Sequence, residues 1–296
     1  EISSSLGGVT DLPRSVGRQA YGVSHEDPDY VYVCQIAGDG GLAAVYRSVD
    51  RGATWSQIGQ RTTLFDPFYN GSTRQGYYDL LIGVDPFDKD KLFIGGIDLW
   101  IWNGSWTRKS QWNAPEFLPF YVHADHHRII FDPNVQGRAY HVSDGGVALT
   151  QDGGDSWTQR NKNYSTVQFY NMGIGPDDEL IGGAQDNGTH YLKVGERSTG
   201  VAGESVEVFG GDGGYAEISK IQGRVYFAET PNGNLYRSGL RGDGWEDFYE
   251  QRMTTVRKPG DNNFALWVMP YVLHESFEDT ASTDSITWGA FRESQF

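Results

Sequence analysis

The chain has 296 residues, a formal net charge of −15 at pH 7, 39 glycines and a single cysteine, Cys34. The negative charge argues against a nucleic-acid backbone as partner, and one cysteine excludes an internal disulfide framework. No apolar run approaches the roughly 18 residues of a membrane-spanning helix, so we expect no membrane span. Aromatic residues make up 14% of the chain, and with the many glycines they favour strands joined by turns.

Six segments share one pattern, in which polar and aromatic residues lead into an apolar strand and then a turn. In chain order these segments are residues 17–23, 77–86, 123–133, 168–176, 212–218 and 267–273. Their spacing of about 40 to 60 residues fits a four-stranded blade. We therefore predict an all-β fold, a β-propeller of six or seven four-stranded blades. Cys34 lies in the apolar run 30–34 and is predicted to be a buried strand residue.

Three tryptophans, Trp55, Trp106 and Trp157, follow one another at intervals of 51 residues. The first and third close copies of the motif [ST]-x-D-x-G-x-[ST]-W, which we name the first and second repeat turns. The motif residues of the first repeat turn are Ser48, Asp50, Gly52 and Trp55. Those of the second repeat turn are Thr150, Asp152, Gly154 and Trp157. Weaker copies end at Trp106 and at Trp245, which lies 88 residues after Trp157, and Trp288 follows 43 residues later.

The motif predicts a folding device. An aspartate in such a turn accepts hydrogen bonds from nearby backbone N–H groups, and glycine supplies a left-handed conformation. The tryptophan folds back over the apolar layer between neighbouring sheets. We therefore assign Asp50 and Asp152 to structure and expect the ligand to bind elsewhere.

The motif resembles the Asp-box, or BNR repeat, of β-propellers. The segments 95–100, 122–126, 182–189 and 210–214, in this order, resemble secreted Asp-box propeller proteins of Bacteroidetes-type bacteria, many of which end in a type 9 secretion sorting domain. Sortilin ectodomains, xyloglucanases, sialidases and photosystem assembly factors resemble the chain more distantly. The resemblance implies an extracellular or cell-surface location. It also implies that residues 1–296 form one propeller domain within a longer polypeptide.

In a propeller, the residues that enter the first strand of each blade collect at one mouth of the central channel. Aromatic faces interleaved with carboxylates, amides and imidazoles suit a sugar or a peptide loop. The alternative is that these groups bond only to one another and to water. The predicted ligand-binding residues are Tyr78, His123, Asp125, Tyr170, Asp212, Tyr215 and Trp267.

Several polar residues are candidates for metal binding or catalysis, and each also has a simpler structural explanation. His123, Asp125 and His127 would share one face of a strand, but His123 and His127 would stand ~13 Å apart. We therefore expect no metal and no cofactor. The turn 185–188 could bind Ca²⁺, although Asx-turn hydrogen bonds explain it more simply. For a glycoside hydrolase, the candidate catalytic carboxylates are Asp79, Asp125 and Asp212, whereas the arginine cluster of a sialidase is missing.

The sequence thus favours a non-catalytic extracellular binding or adhesion module whose ligand is a glycan or a protein. Two alternatives remain, namely a glycoside hydrolase acting on a polysaccharide and an assembly protein that docks a protein partner.

Overall fold

β-Branched and aromatic residues dominate the segments that form strands, and glycine and aspartate turns separate them. The structure, a computed structural model, describes residues 12, 17–162, 167–192, 205–239, 252–255 and 266–276, with the backbone alone for 252–255. Its regular elements are β-strands, which pair into five four-stranded antiparallel sheets. The predicted all-β class with four-stranded blades is confirmed. The number of blades stays a prediction, and Trp245 and Trp288 lie outside the described residues.

The chain divides into two compact units, residues 1–165 and residues 166–296. Unit 1 contains three sheets, in each of which consecutive strands are neighbours. Sheet 1 is formed by β1 (Gln19–Val23), β2 (Val31–Ile36), β3 (Leu42–Ser48) and β4 (Ser56–Gln60). Sheet 2 is formed by β5 (Leu81–Val84), β6 (Leu92–Gly95), β7 (Leu99–Trp102) and β8 (Trp106–Arg108). Sheet 3 is formed by β9 (His126–Phe131), β10 (Ala139–Ser143), β11 (Gly146–Thr150) and β12 (Thr158–Gln159).

Unit 2 contains two sheets with the same strand order. Sheet 4 is formed by β13 (Phe169–Ile174), β14 (Leu180–Ala184), β15 (Gly188–Leu192) and β16 (Val206–Phe209). Sheet 5 is formed by β17 (Ala216–Ile218), β18 (Tyr226–Thr230), β19 (Asn234–Ser238) and β20 (Arg252–Thr255).

The core of unit 1 is built on both faces of sheet 2. Leu92 and Ile94 of β6 pack into a cluster with Tyr32 and Cys34 of sheet 1, whereas Phe93 packs into a second cluster with Ile129 of sheet 3. Successive side chains of a strand point to opposite faces, so β6 must be apolar at every position. Each of these buried side chains contributes roughly 1.5–3 kcal/mol. Cys34 is fully buried in β2, as predicted.

The core of unit 2 repeats this arrangement on β18. Tyr226 and Ala228 pack against sheet 4, and Phe227 packs on the opposite face against Tyr271. The segment 266–276 therefore covers the face of sheet 5 that points away from sheet 4.

The prediction that residues 267–273 form a strand is wrong, because residues 266–276 contain no strand. Pro270 lies in the middle of this segment and has no N–H to donate to a ladder. The neighbouring N–H of Met269 donates instead to Oε1 of Glu229, at 2.7 Å.

The first repeat turn joins β3 to β4 and is closed by its own side chains. Asp50 accepts hydrogen bonds from the backbone N–H of Thr54 at 2.7 Å and from its hydroxyl at 2.6 Å. The hydroxyl of Ser48 donates to Asp50 and accepts from the N–H of Gly52, each at 2.7 Å. Gly52 has a φ of 86°, which only glycine adopts without strain. Trp55 is half-buried.

The second repeat turn joins β11 to β12 and carries the same bonds. Asp152 accepts from the N–H of Ser156 at 2.9 Å and from its hydroxyl at 2.5 Å, and the hydroxyl of Thr150 donates to Asp152 at 2.8 Å. Burial alone would raise the pKa of Asp152, but these hydrogen bonds more than offset it and lower the pKa. Trp157 is buried in the cluster between sheets 2 and 3.

The prediction that His123, Asp125 and His127 share one face of a strand is wrong, because β9 begins only at His126. Asp125 has a φ of 64°, in the left-handed region, and this interrupts the extended chain. The N–H of His126 then donates to the carbonyl of Gly96, 2.8 Å away.

Two histidines lie inside sheet 3. His126 and His141 are fully buried with ring centroids 4.4 Å apart, and their four ring nitrogens have no hydrogen-bond partner among the described residues. Burial lowers the pKa of His126 well below its usual value and that of His141 to about 3. Both rings are therefore neutral at physiological pH.

Replacing Asp152 by alanine should lower the free energy of unfolding by about 1–2 kcal/mol, because the bonds to Ser156 and Thr150 are lost. Chemical denaturation measures the change. The matched control is Asp155→Ala, since Asp155 lies in the same turn and its exposed carboxylate pairs with Lys109. An equal loss in both variants would contradict a specific role for Asp152.

Stability should fall in acid because of the histidine pair. Their folded pKa values lie below the unfolded value of about 6.5, so this contribution is complete above that pH and declines as the pH drops towards 3. For His141 this loss of folding free energy amounts to about 2 kcal/mol at pH 5. Denaturation between pH 7.5 and 5 should show a shallower decline for His141→Phe than for the wild type. Identical slopes would contradict the assignment.

Candidate functional site

The predicted ligand-binding and catalytic residues lie at strand entries in both units. In unit 1, Tyr78 and Asp79 precede β5, and His123 and Asp125 precede β9. In unit 2, Tyr170 lies in β13, Asp212 and Tyr215 precede β17, and Trp267 lies in the segment 266–276. That one ligand contacts all of these residues stays a prediction.

Unit 1 brings three aspartates together, Asp79, Asp125 and Asp144, which we name the acidic cluster. The amide nitrogen of Gln75 donates to Asp125 and lies 3.4 Å from Oδ2 of Asp79, so it bridges the two carboxylates. Asp125 and Asp144 each place a carboxylate oxygen within 4.8 Å of the other.

Two aromatic side chains orient Asp144. The hydroxyl of Tyr78 donates to its Oδ2 at 2.8 Å, and Nε2 of His127 lies 2.5 Å from its Oδ1. The rings of Tyr78 and His127 meet edge to face, with centroids 5.2 Å apart. The carboxylate of Asp144 is therefore held between two fixed partners.

Backbone contacts fix the loops that carry the acidic cluster. Arg18 donates to the carbonyl of Tyr78 at 2.5 Å and so holds the entry to β5. In the turn after β10, a Cβ on Gly145 would lie 2.2 Å from Cβ of His123, so only glycine lets this turn pass beside His123. Nδ1 of His123 lies 3.1 Å from the carbonyl oxygen of Ala124, and a ligand-binding role for this residue stays a prediction.

Asp79 differs from the other buried aspartates of unit 1. Asp85 lies 3.7 Å from Lys91 and Asp98 lies 2.5 Å from Arg108, whereas no lysine or arginine in the described part of the chain pairs with Asp79. Burial, together with the charges of Asp125 and Asp144, raises the pKa of Asp79 to about 8.

Gln75 and Asp144 belong to this cluster, but the sequence did not identify them. Asp144 lies in the turn between β10 and β11, and Gln75 lies outside the predicted segment at 77–86. The aspartate followed by two glycines was the available signal, because small residues let loops approach closely.

Unit 2 holds a second group, Tyr170, Gln185, Asp212 and Trp267, which we name the Trp267 platform. The hydroxyl of Tyr170 donates to Oε1 of Gln185 at 3.0 Å, and the side chain of Trp267 lies beside this hydroxyl. Asp212 accepts from the N–H of Asp186, also at 3.0 Å. Burial and the nearby charge of Asp212 both raise the pKa of Tyr170.

Trp267 is 54% exposed. This exposure does not fit a role as a buried core residue. The ring lies beside Tyr170, and much of its surface remains in water.

Buried polar contacts hold the segment that carries Trp267. Glu229 accepts from the N–H of Met269 at 2.7 Å and from the N–H of Tyr215 at 3.0 Å. Burial raises the pKa of Glu229 to about 7. The hydroxyl of Tyr271 donates to the carbonyl of Tyr215 at 3.3 Å, and the two rings are 6.0 Å apart. Tyr215 therefore supports the segment, and its contact with a ligand stays a prediction.

No protein-family model matches the sequence, and no curated protein matches it. A GH74 xyloglucanase from Xanthomonas campestris is similar in structure, with 18% identity over 78% of this chain and 38% of that chain and a TM-score of 0.37. A GH74 enzyme from Niastella koreensis gives 17% identity over 78% and 38%, with a TM-score of 0.36. YCF48 bound to a D1 peptide gives 14% identity over 77% and 64%, with a TM-score of 0.32.

This chain thus spans less than two thirds of the length of each of these structures. At these TM-scores the similarity assigns neither a family nor an activity to the chain. Within the described residues, no helix is long and apolar enough to cross a membrane.

Proposed function

We propose that this chain is a non-catalytic carbohydrate-binding module of a secreted or surface-attached protein, and that the glycan binds at the Trp267 platform. The observation that carries the proposal is an exposed tryptophan ring beside Tyr170, on a segment that the bond from Met269 to Glu229 holds in place. A rigid aromatic face loses little conformational entropy when a ligand binds.

The chemistry around the ring suits a sugar. The apolar face of Trp267 can stack on the C–H groups of a pyranose. Gln185 and Asp212 stand beside Tyr170 and can exchange hydrogen bonds with hydroxyl groups. Because the chain carries a net charge of −15, we propose a neutral polysaccharide as the ligand class.

The geometry of unit 1 supports a non-catalytic function. A glycoside hydrolase places its two carboxylates on either side of the glycosidic bond. Asp79 is fully buried, and the amide of Gln75 bridges it to Asp125, so a sugar has no room between this pair. An extracellular location and further domains belong to the proposal on the strength of the sequence resemblance.

Replacing Trp267 by alanine should weaken glycan binding by at least about tenfold, because the stacking surface is lost. Affinity electrophoresis against a panel of neutral plant and host polysaccharides finds the ligand, and calorimetry measures the affinity. The melting temperature should stay within a few degrees of the wild type, since the ring is largely exposed.

The matched control is Trp112→Ala, which removes a tryptophan of unit 1 that is 38% exposed and should leave affinity unchanged. Unchanged affinity for Trp267→Ala together with a collapsed melting temperature would contradict the proposal. Turnover of a polysaccharide would favour the hydrolase, and capture of a protein partner without glycan binding would favour an assembly protein.

A further inference from the structure

The chain contains four Asn-Gly pairs, at residues 70–71, 103–104, 187–188 and 232–233. An asparagine is chemically labile, and most so before glycine, because glycine has no side chain to hinder attack by its own backbone nitrogen on the asparagine amide. The attack closes a cyclic imide, a succinimide. It requires that the glycine nitrogen is not engaged and that the asparagine side chain can turn towards it. The four pairs differ in how well they meet these two conditions.

The pair Asn103-Gly104 meets both conditions. Both residues are exposed in the turn that joins β7 to β8. In the described part of the chain, neither the side-chain amide of Asn103 nor the N–H of Gly104 makes a hydrogen bond. Gly104 has a φ of 80°, and among the described residues only its neighbours in sequence lie within 4 Å of the place that a Cβ would occupy. The turn therefore leaves the Gly104 nitrogen accessible to Cγ of Asn103.

Asn70 is followed by the same residue, but its side chain is held by the loop. Its Oδ1 accepts hydrogen bonds from the N–H of Ser72 at 2.9 Å and from the N–H of Thr73 at 2.8 Å. Its Nδ2 donates to the hydroxyl of Thr73 at 3.0 Å. These bonds must break before the amide can turn towards the nitrogen of Gly71, so ring closure should be slower here.

The other two pairs are also restrained. The N–H of Gly188 donates to the carbonyl of Gly211 at 2.7 Å, so the attacking nitrogen is engaged. Asn232 has a φ of 69° and its N–H donates to the carbonyl of Trp267 at 3.2 Å, while Gly233 is buried. Exposure of both residues, together with a side chain and a nitrogen that make no bond in the described part of the chain, therefore distinguishes the pair at 103–104.

We infer that Asn103 is a site of spontaneous deamidation. The backbone nitrogen of Gly104 forms a bond to Cγ of Asn103, and the bond from Cγ to Nδ2 breaks. The proton lost from the Gly104 nitrogen leaves with the amide group as ammonia. Water then opens the succinimide at either of its carbonyl groups. One opening gives aspartate and the other gives isoaspartate, in which the main chain runs through Cβ.

Isoaspartate at this turn changes the contact between two sheets. It adds one atom to the main chain of a hairpin turn, and the length of such a turn sets the register of its strands. Trp102 and Trp106 are the paired residues next to the turn. The indole N–H of Trp106 donates to the carbonyl of Ile58 in sheet 1 at 2.9 Å, and its ring stacks on Phe65 with centroids 4.6 Å apart. A shift of Trp106 therefore weakens the packing of sheet 2 on sheet 1.

The test is ageing of the whole chain in warm, mildly alkaline buffer, followed by peptide mapping with mass spectrometry. An isoaspartate-specific methyltransferase marks the rearranged product. We expect deamidation at Asn103 to be at least about tenfold faster than at Asn70, which corresponds to about 1.4 kcal/mol in the activation barrier. Asn103→Gln should remove the product at this position, because glutamine closes to a larger ring far more slowly.

A smaller difference between Asn103 and Asn70 would overturn the site. Faster deamidation at Asn187 or Asn232 than at Asn103 would also overturn it. Trp267→Ala should deamidate at Asn103 like the wild type, so the inference is independent of the glycan proposal.

Asn103→Asp separates the effect of the new charge from that of the longer main chain. This variant carries the carboxylate without the added atom and should melt like the wild type, since the turn is exposed. The aged protein with isoaspartate, purified by ion exchange, should melt at a lower temperature than Asn103→Asp. Equal melting temperatures for these two proteins would overturn the effect on sheets 1 and 2.

Discussion

Two second strands, β6 and β18, are the elements on which the fold depends, because they are buried on both faces. All four residues of β6 are buried, and so are the first four of β18. A strand without a polar face cannot be stable at the surface, so its sheet must be covered from both sides. In unit 1 the covers of sheet 2 are sheets 1 and 3, and in unit 2 sheet 5 lies between sheet 4 and the segment 266–276.

This two-sided burial explains where the polar chemistry lies. β6 has no polar side chain, and the polar residues of the candidate sites lie mostly at strand entries and turns. The repeat turns use their aspartates to satisfy their own backbone groups, so these aspartates serve the fold. The entries before β5 and β9 instead bring aspartates together from neighbouring sheets, and there the charges are only partly compensated. These strand entries do not contribute to the apolar core, and their side chains are therefore available for binding.

Local signals in the sequence predicted most of the fold. The apolar run at Cys34 and the second repeat turn with Trp157 depend on neighbours in sequence, so their structure could be inferred from the residues alone. The prediction of a strand at 267–273 was wrong, because the apolar residues of this segment cover a neighbouring sheet and do not form a strand of their own. Tyr271 covers the face of sheet 5, while the N–H of Met269 bonds to the side chain of Glu229 rather than to a strand.

The candidate sites were only partly predictable, because their residues meet through contacts between distant parts of the chain. Asp79 and Asp125 were identified as candidates, but their meeting requires Gln75 and the left-handed backbone of Asp125, which no sequence pattern showed. Trp267 was predicted as a ligand residue, while its place beside Tyr170 brings together positions nearly 100 residues apart. Such contacts depend on tertiary packing and not on local propensity.

Native-state hydrogen exchange tests the central role of two-sided burial most directly. β18 and β19 are both interior strands of sheet 5, with a hydrogen-bonded neighbour on each side, but β18 is buried at more positions. If burial on both faces holds the sheet in place, the amides of β18 should open only with global unfolding and exchange more slowly than those of β19. Equal exchange rates in the two strands would contradict this role and would attribute protection to ladder position alone.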